Sequence, residues 1–260
     1  MTGGMFSRRG LLGAGAAGAG GLLLSGCDRL SASPSFQKFI ATSGGDLTFD
    51  AQRLLLAGQP LAREFKASQI SPVFKSNGTS HPESDDYDAL AKDGFVNWRL
   101  AVDGLVGRPR QFSLADLKAM PSRTQITRHD CVEGWSAIGG WTGVPLGHLL
   151  RKVGLRPNAR YVVLRCADDL EASLDGSGLY YESIDLFDAF HPQTILAYAM
   201  NGAPLAIPHG APLRLRVERQ LGYKQAKYVM RIEVVDRIDR IQGGKGGYWE
   251  DRGYAWYAGI

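Results

Sequence analysis

Arg128-His129-Asp130-Cys131-Val132-Glu133-Gly134-Trp135 sets a cysteine among an arginine, a histidine and two acids. A neighbouring cation favours the thiolate, the form of cysteine that binds soft metals. On these eight residues alone, a buried and inert cysteine is the simpler account. Upstream, residues 124–131 read as extended chain, and residues 98–102 form a strand that ends at the Asp103-Gly104 turn. Ser113 and Asp116 make a capping box for a short helix that runs to Met120. Downstream, Pro145 opens a helix with Leu146, Leu149, Leu150 and Val153 on one face and Gly154 as its cap. Residues 161–166, 194–200, 213–218 and 228–235 are β-rich, and Asn201-Gly202 is a hairpin turn. Residues 72–94 read as loop, and residues 47–58 as a short helix. The expected architecture is one strand-rich, mixed α/β (α+β) domain.

Of 260 residues, 44% are hydrophobic and 22% charged, which excludes a disordered chain, a multi-span membrane protein and a small disulfide scaffold. The net charge is +4, with 30 basic and 26 acidic residues interleaved. Such a balance argues against a nucleic-acid partner, which needs a basic face.

The N-terminus reads as an address. Ser7-Arg8-Arg9-Gly10-Leu11-Leu12 precedes a mild apolar run and matches a twin-arginine export signal, which carries proteins across the membrane already folded. The run ends in Leu24-Ser25-Gly26-Cys27, a lipobox in which Cys27 is the lipidated residue. Two acyl chains on Cys27 would hold the protein stably to the periplasmic side of a bacterial membrane. An uncleaved anchor is the alternative, although the 17 residues from Gly10 to Gly26 are at the short limit for a span. The expected organisation is a signal peptide over residues 1–26, a lipidated tether with a short helix over 27–71, and one folded domain over 72–260.

No nucleophile elbow, Walker loop, dinucleotide fingerprint, HExxH or CxxC occurs, and the five histidines never pair at metal-ligand spacing. Beyond Cys27 only Cys131 and Cys166 remain, and on residue type alone they could form one disulfide.

The ordered set of motifs is more specific. Cys131-Val-Glu-Gly-Trp135 is followed by Trp141-Thr-Gly-Val-Pro-Leu146, Tyr180-Tyr-Glu-Ser-Ile-Asp185 and Leu196-Ala-Tyr-Ala-Met-Asn-Gly-Ala-Pro-Leu205. After these come His209-Gly-Ala-Pro-Leu-Arg214, Gly222-Tyr-Lys-Gln-Ala-Lys227 and Gly247-Tyr-Trp-Glu-Asp-Arg-Gly-Tyr254. From about Pro72 to the end this resembles the sulfite oxidase superfamily of molybdopterin-dependent oxidoreductases. The resemblance implies a strand-rich molybdopterin-binding domain with Cys131 as the protein thiolate on molybdenum, beside one pterin. That role would bar Cys131 from a disulfide. Asn77, Cys166, His209, Arg214, Gln225, Ala226 and Lys227 match positions where the family holds the pterin and its phosphate. Arg128, His129, Asp130, Tyr180 and Tyr181 are candidates for the substrate wall, Trp135 and Trp141 for packing, and Glu133 for bracing the loop.

The same resemblance separates two branches. Sulfite oxidases place an arginine just before the asparagine at Asn77, where this chain has Ser76, and carry a dimerisation domain for which a chain ending at Ile260 leaves no room. The periplasmic methionine-sulfoxide reductase catalytic subunit has an aromatic and an acid after that asparagine, where Gly78, Thr79 and Ser80 stand here. Its threonine corresponds to Cys166, and its second asparagine to His209. The expectation is a monomeric oxidoreductase performing two-electron, oxygen-atom-transfer chemistry, with a sulfoxide or related small molecule or protein favoured over sulfite. Its electrons would pass to or from a membrane or periplasmic partner such as a cytochrome, since no haem-attachment motif is present. The alternative is a catalytically inactive lipoprotein of the same fold acting as a binding partner.

Overall fold

The computed structural model describes residues 33–35, 53–54, 60–173 and 176–260. The chain divides into two compact units, Met1–Gly58 and Gln59–Ile260, and every element below belongs to the second. The expected signal peptide with Cys27, and all but Arg53 and Leu54 of the expected helix over 47–58, lie outside the described residues.

The strands are β1 (Arg99–Gly104), β2 (Arg110–Ser113), β3 (Arg123–Cys131), β4 (Trp135–Pro145) and β5 (Tyr161–Asp169). They continue with β6 (Leu179–Asp185), β7 (Ile195–Met200), β8 (Ala203–Pro204), β9 (Arg214–Arg216) and β10 (Val229–Val235). One sheet runs β2-β1-β10-β5-β6, with β1 parallel to β10 and the other pairs antiparallel. The other runs β3-β4-β7-β8, with β9 also on β7. Helices are α1 (Asp85–Lys92), α2 (Leu114–Lys118), α3 (Leu146–Val153), α4 (Leu186–Ala189) and α5 (Tyr248–Asp251). The mixed, strand-rich architecture expected from the sequence is the one observed.

Local rules explain most elements. In β1, Leu100 and Val102 alternate into the core. The capping box of α2 is present, with the Ser113 hydroxyl accepting from Asp116 N and the Asp116 carboxylate accepting from Ser113 N. Helix α3 buries Leu146, Leu149, Leu150 and Val153 and stops at Gly154 with φ 70°. Strand β4 carries Gly139, which makes room for the Phe74 ring, and Gly143, where β7 passes very close. A Cβ on Gly143 would lie 2.1 Å from Leu196 O, so only glycine admits the pairing.

Two expectations are corrected. Residues 72–94 are not all loop, because α1 lies within them. Ser84 caps α1 by accepting from Tyr87 N, and Asp85, Asp86 and Asp88 fill its first turn. It buries only Tyr87, so no apolar stripe announced it. Residues 60–71, expected in the tether, pack on the domain: Phe65 N donates to Ile126 O of β3 at 2.8 Å, Glu64 bridges to Thr127, and Ser71 N donates to Ile138 O of β4 at 3.0 Å.

Candidate active site

Strand β3 ends at Cys131, and Gly134 (φ 85°) turns the chain into β4, donating its N–H to Cys131 O at 3.0 Å. The turn is braced as expected: Glu133 accepts from Trp135 Nε1 at 2.9 Å and from Gly78 N at 3.4 Å. It forms one wall of a cleft of about 750 Å3, counting its open mouth. Asn77 and Thr79 form a second wall, Asp168 at the end of β5 a third, and Gln225, Ala226 and Lys227 a fourth. Tyr180, Tyr223, Trp249 and Tyr254 make the rest of the lining aromatic.

Two buried cations serve the cleft, Lys227 in its lining and Arg214 behind it. Arg214 is wholly buried, donates to His209 O at 3.0 Å and Gln225 O at 3.4 Å, and lies 4.9 Å over the Trp141 ring. Its Nε has no partner. Lys227 Nζ donates to Thr79 O, to Pro208 O at 3.0 Å and to Ser76 Oγ at 3.3 Å. Gly210, with φ 101°, lets the two approach: a Cβ there would lie 2.9 Å from Lys227 Cβ and 3.2 Å from Arg214 Cβ. Neither cation makes an ion pair with a described residue. Burial and the neighbouring Arg216 lower Arg214 to about 9; burial and Arg214 lower Lys227 to about 7. Buried charges without a counter-ion are costly, so this pair is complete only with an anion. A phosphate suits it, since arginine offers a planar fork and lysine a point charge.

Asp168 also faces the cleft. Burial raises it to about 6, against the lowering effect of Thr79, whose hydroxyl donates to Oδ2 at 2.7 Å; Oδ1 has no partner. Cys131 is 9% exposed, and its thiol is raised by burial, with the Glu133 backbone N–H lowering it and the Glu133 carboxylate raising it further. The cation expected to favour its thiolate is therefore not at hand.

The expected residues fall into three groups. Cys131, Asn77, Gln225, Ala226, Lys227 and Tyr180 line the cleft. Arg214, Cys166, His209 and His129 stand behind or beside it. Cys166 is a free thiol in the core, as Cys131 is free at the rim, so the disulfide reading fails. His209 is half-buried, with its ring edge-on to Phe74 at 5.7 Å. His129, expected on the substrate wall, is fully buried; its Nδ1 accepts from Arg216 Nη1 at 3.0 Å, because a guanidinium can only donate. Burial and the Arg216 and Arg214 charges hold it well below the usual histidine range, hence neutral.

The third group is turned away. Adjacent strand residues face opposite sides, so Arg128 and Asp130 point away from Cys131 and pair with each other at 2.9 Å. For the same reason Tyr181 leaves the cleft to Tyr180 and donates its hydroxyl to Asp251 at 2.5 Å. Neither Arg128 nor Tyr181 touches the cleft. Asp168, Tyr223, Trp249 and Tyr254 were not expected there. The available signals were the Asp168-Asp169 doublet at a strand end and the presence of Tyr223, Trp249 and Tyr254 within the ordered motifs.

A model of the family described as the oxidoreductase molybdopterin binding domain matches residues 88–241. The chain belongs to that family. This molybdopterin-binding oxidoreductase is 39% identical over 199 residues to a protein of Azospira oryzae, covering 75% of this chain and 70% of that one. That relative is named provisionally as a protein-methionine-sulfoxide reductase subunit, YedZ1. It is also 36% identical over 146 residues to the protein-methionine-sulfoxide reductase catalytic subunit MsrP of Ralstonia nicotianae, covering 54% of this chain and 44% of that one. The chain thus spans less than half of that curated relative. Among solved structures it is similar to the sulfane dehydrogenase SoxCD of Paracoccus pantotrophus, at 24% identity and TM-score 0.48, covering 55% of this chain and 39% of that one. That last likeness is too slight to bear on chemistry. The cleft and its unneutralised cations fit the family's phosphate-bearing cofactor, and the protein is an oxidoreductase.

Proposed function

We propose that this enzyme catalyses two-electron oxygen-atom transfer, reducing sulfoxides, free or in proteins, at a molybdenum held by Cys131 and one pterin. The observation that carries this reading is the meeting, at one cleft, of Cys131 with a buried Arg214–Lys227 pair that lacks an anion. Bound there, the molybdenum pterin supplies the redox change and the movement of oxygen. Arg214 and Lys227 hold its phosphate, with Asn77, Gln225 and Ala226 along its length and Cys166 and His209 behind. The braced turn at Glu133 fixes the Cys131 sulfur, and Asp168, raised to about 6 and with Oδ1 free of partners, could take up and return a proton at the cleft.

The lining favours a neutral substrate over sulfite. Glu133 and Asp168 place two carboxylates beside a single lysine, and Ser76 is spent on Pro208 O at 2.7 Å. The aromatic walls suit a thioether, whose sulfur packs well against ring edges. The names carried by the relatives point the same way. The proposal includes export by the twin-arginine route, a lipid anchor at Cys27 on the periplasmic side, a monomeric state and a membrane or periplasmic electron partner such as a cytochrome.

The test begins with the molybdenum-to-protein ratio of chain exported through its own signal. A ratio near one, with sulfoxides reoxidising a reduced dye and sulfite reducing no acceptor, is the expected result. A ratio near zero in folded protein, from cells that load a control molybdoenzyme, would instead support an inactive binding lipoprotein. A second outcome concerns the phosphate site. Arg214→Met should lower cofactor loading roughly tenfold or more, since it removes a charge-assisted fork. It should leave the melting temperature of cofactor-free protein unchanged or higher, because a buried unpaired cation is gone. Loading equal to that of the unaltered chain would remove Arg214 from the site.

A further inference from the structure

Six cations gather at the end of the β2-β1-β10-β5-β6 sheet opposite the cleft: Arg108, Arg110, Arg151, Lys152, Arg156 and Arg160, all exposed. Backbone bonds bring their segments together. Arg108 N donates to Val153 O at 3.0 Å, Arg156 N to Leu105 O at 3.0 Å, and Arg160 N to Val235 O at 2.9 Å. Arg108, Arg110 and Lys152 line one shallow hollow. Carbonyls, not acids, hold the guanidiniums: Arg108 Nη2 donates to Lys152 O, Arg156 Nε to Val106 O, and Arg160 Nη1 to Pro157 O and Ala159 O. None of the six makes an ion pair with a described residue. Asp116, which feels the charge of Arg110, is engaged by Ser113. Two acids, Asp185 opposite Tyr161 and Asp236 just beyond Val235, share this end with the six cations.

The patch is remote from the chemistry. Strand β5 begins at Tyr161, next to Arg160, and reaches the cleft at Asp168, roughly 23 Å away at strand rise. It is also near the point where the chain from the N-terminus joins the domain. Pro60 O lies 3.3 Å from His191 Nε2 and Ala62 N donates to Gln193 at 2.7 Å, while Phe190 of the same loop lies under Arg151 at 5.6 Å.

We propose that this basic end rests on the phosphodiester headgroups of an anionic phospholipid bilayer, leaving the cleft on the far side open to substrate. The proposal rests on the membrane-anchored reading above. Each cation near such a surface favours the bound orientation about fivefold, and the attraction decays within the screening length.

The test is amine-labelling of the full chain at single-hit dose, in detergent and reconstituted on vesicles of phosphatidylcholine with or without phosphatidylglycerol. At 50 mM salt, Lys152 should react at least threefold more slowly on phosphatidylglycerol vesicles than on phosphatidylcholine alone, with Lys66, Lys92 and Lys118 unchanged. At 500 mM salt, where screening shortens from about 14 to about 4 Å, the protection should vanish. Arg110→Glu/Arg151→Glu should abolish it at either salt. Equal reactivity of Lys152 on both vesicles overturns the patch while retention on the vesicles keeps the anchor. Failure of the chain to be retained on either vesicle overturns both. Protection of Lys152 by polyglutamate but not by phosphatidylglycerol would assign the patch to an acidic protein and overturn the bilayer.

Discussion

Cys131→Ser should abolish turnover and remove the thiolate-to-metal absorption of the loaded enzyme, with the fold kept. Cys131 ends β3 at the cleft rim, 9% exposed, and is not part of either hydrophobic core. A hydroxyl of similar size therefore costs little in packing, and the melting temperature should stay within a few degrees. Its chemistry is another matter. Burial raises the Cys131 thiol, against the lowering effect of the Glu133 backbone N–H, so the protein alone does not favour the thiolate. A bound metal deprotonates a coordinating thiol outright, and an alcohol is a far poorer ligand for a soft metal. The measurements are dye-linked turnover, the visible spectrum and thermal melting on one preparation. Full turnover in Cys131→Ser would show that the metal is held otherwise.

The second large effect lies behind the cleft. Lys224 is wholly buried between two wholly buried carboxylates, Glu182 and Glu250, the latter at 2.6 Å. Burial pushes Glu182 well above the carboxylate range, partly offset by Lys224 and reinforced by Glu250. Lys224→Met would leave both acids facing each other without a cation. Breaking a buried pair from one side costs about 3–5 kcal/mol, which in a domain of this size lowers the melting temperature by roughly 6–20 °C. Restoring neutrality with Glu182→Gln and Glu250→Gln in the same chain should recover most of the loss. Lys224 begins the run into Gln225, Ala226 and Lys227, so cofactor loading should fall in the single variant and return in the triple. A change below 2 °C in the single variant would show that the carboxylates are already neutral and that the lysine stabilises nothing.

Much of the fold was legible because its signals are local. The capping box at Ser113, the α3 face ending at Gly154 and the Asn201-Gly202 turn depend on neighbours a few residues apart. Helix α1 was missed because its information is a cap and three acids, and a helix that buries only Tyr87 has almost no periodicity. Strand β4 was not anticipated because Gly139, Gly140 and Gly143 are weak strand formers, and what requires Gly143, the close passage of β7, is visible only in the fold.

The sequence by itself determined the family, the cysteine that ends β3, and the basic and amide residues at 225–227 that line the cleft. It could not determine which way the strand residues face. The inward side of β3 is Gln125, Thr127, His129 and Cys131, all polar or sulfur-bearing, so hydrophobic alternation cannot tell that side from the one bearing Arg128 and Asp130. Tyr180 and Tyr181 are chemically identical and differ only in what lies opposite: the Tyr223 carbonyl for one, the Asp251 carboxylate for the other. Lys224 and Lys227 stand three residues apart, yet one pairs directly with acids 42 and 26 residues away and the other donates to carbonyls and makes no ion pair with a described residue. The tertiary structure decided these points because each depends on a partner distant in the chain, and only the packed sheets bring partner and residue together.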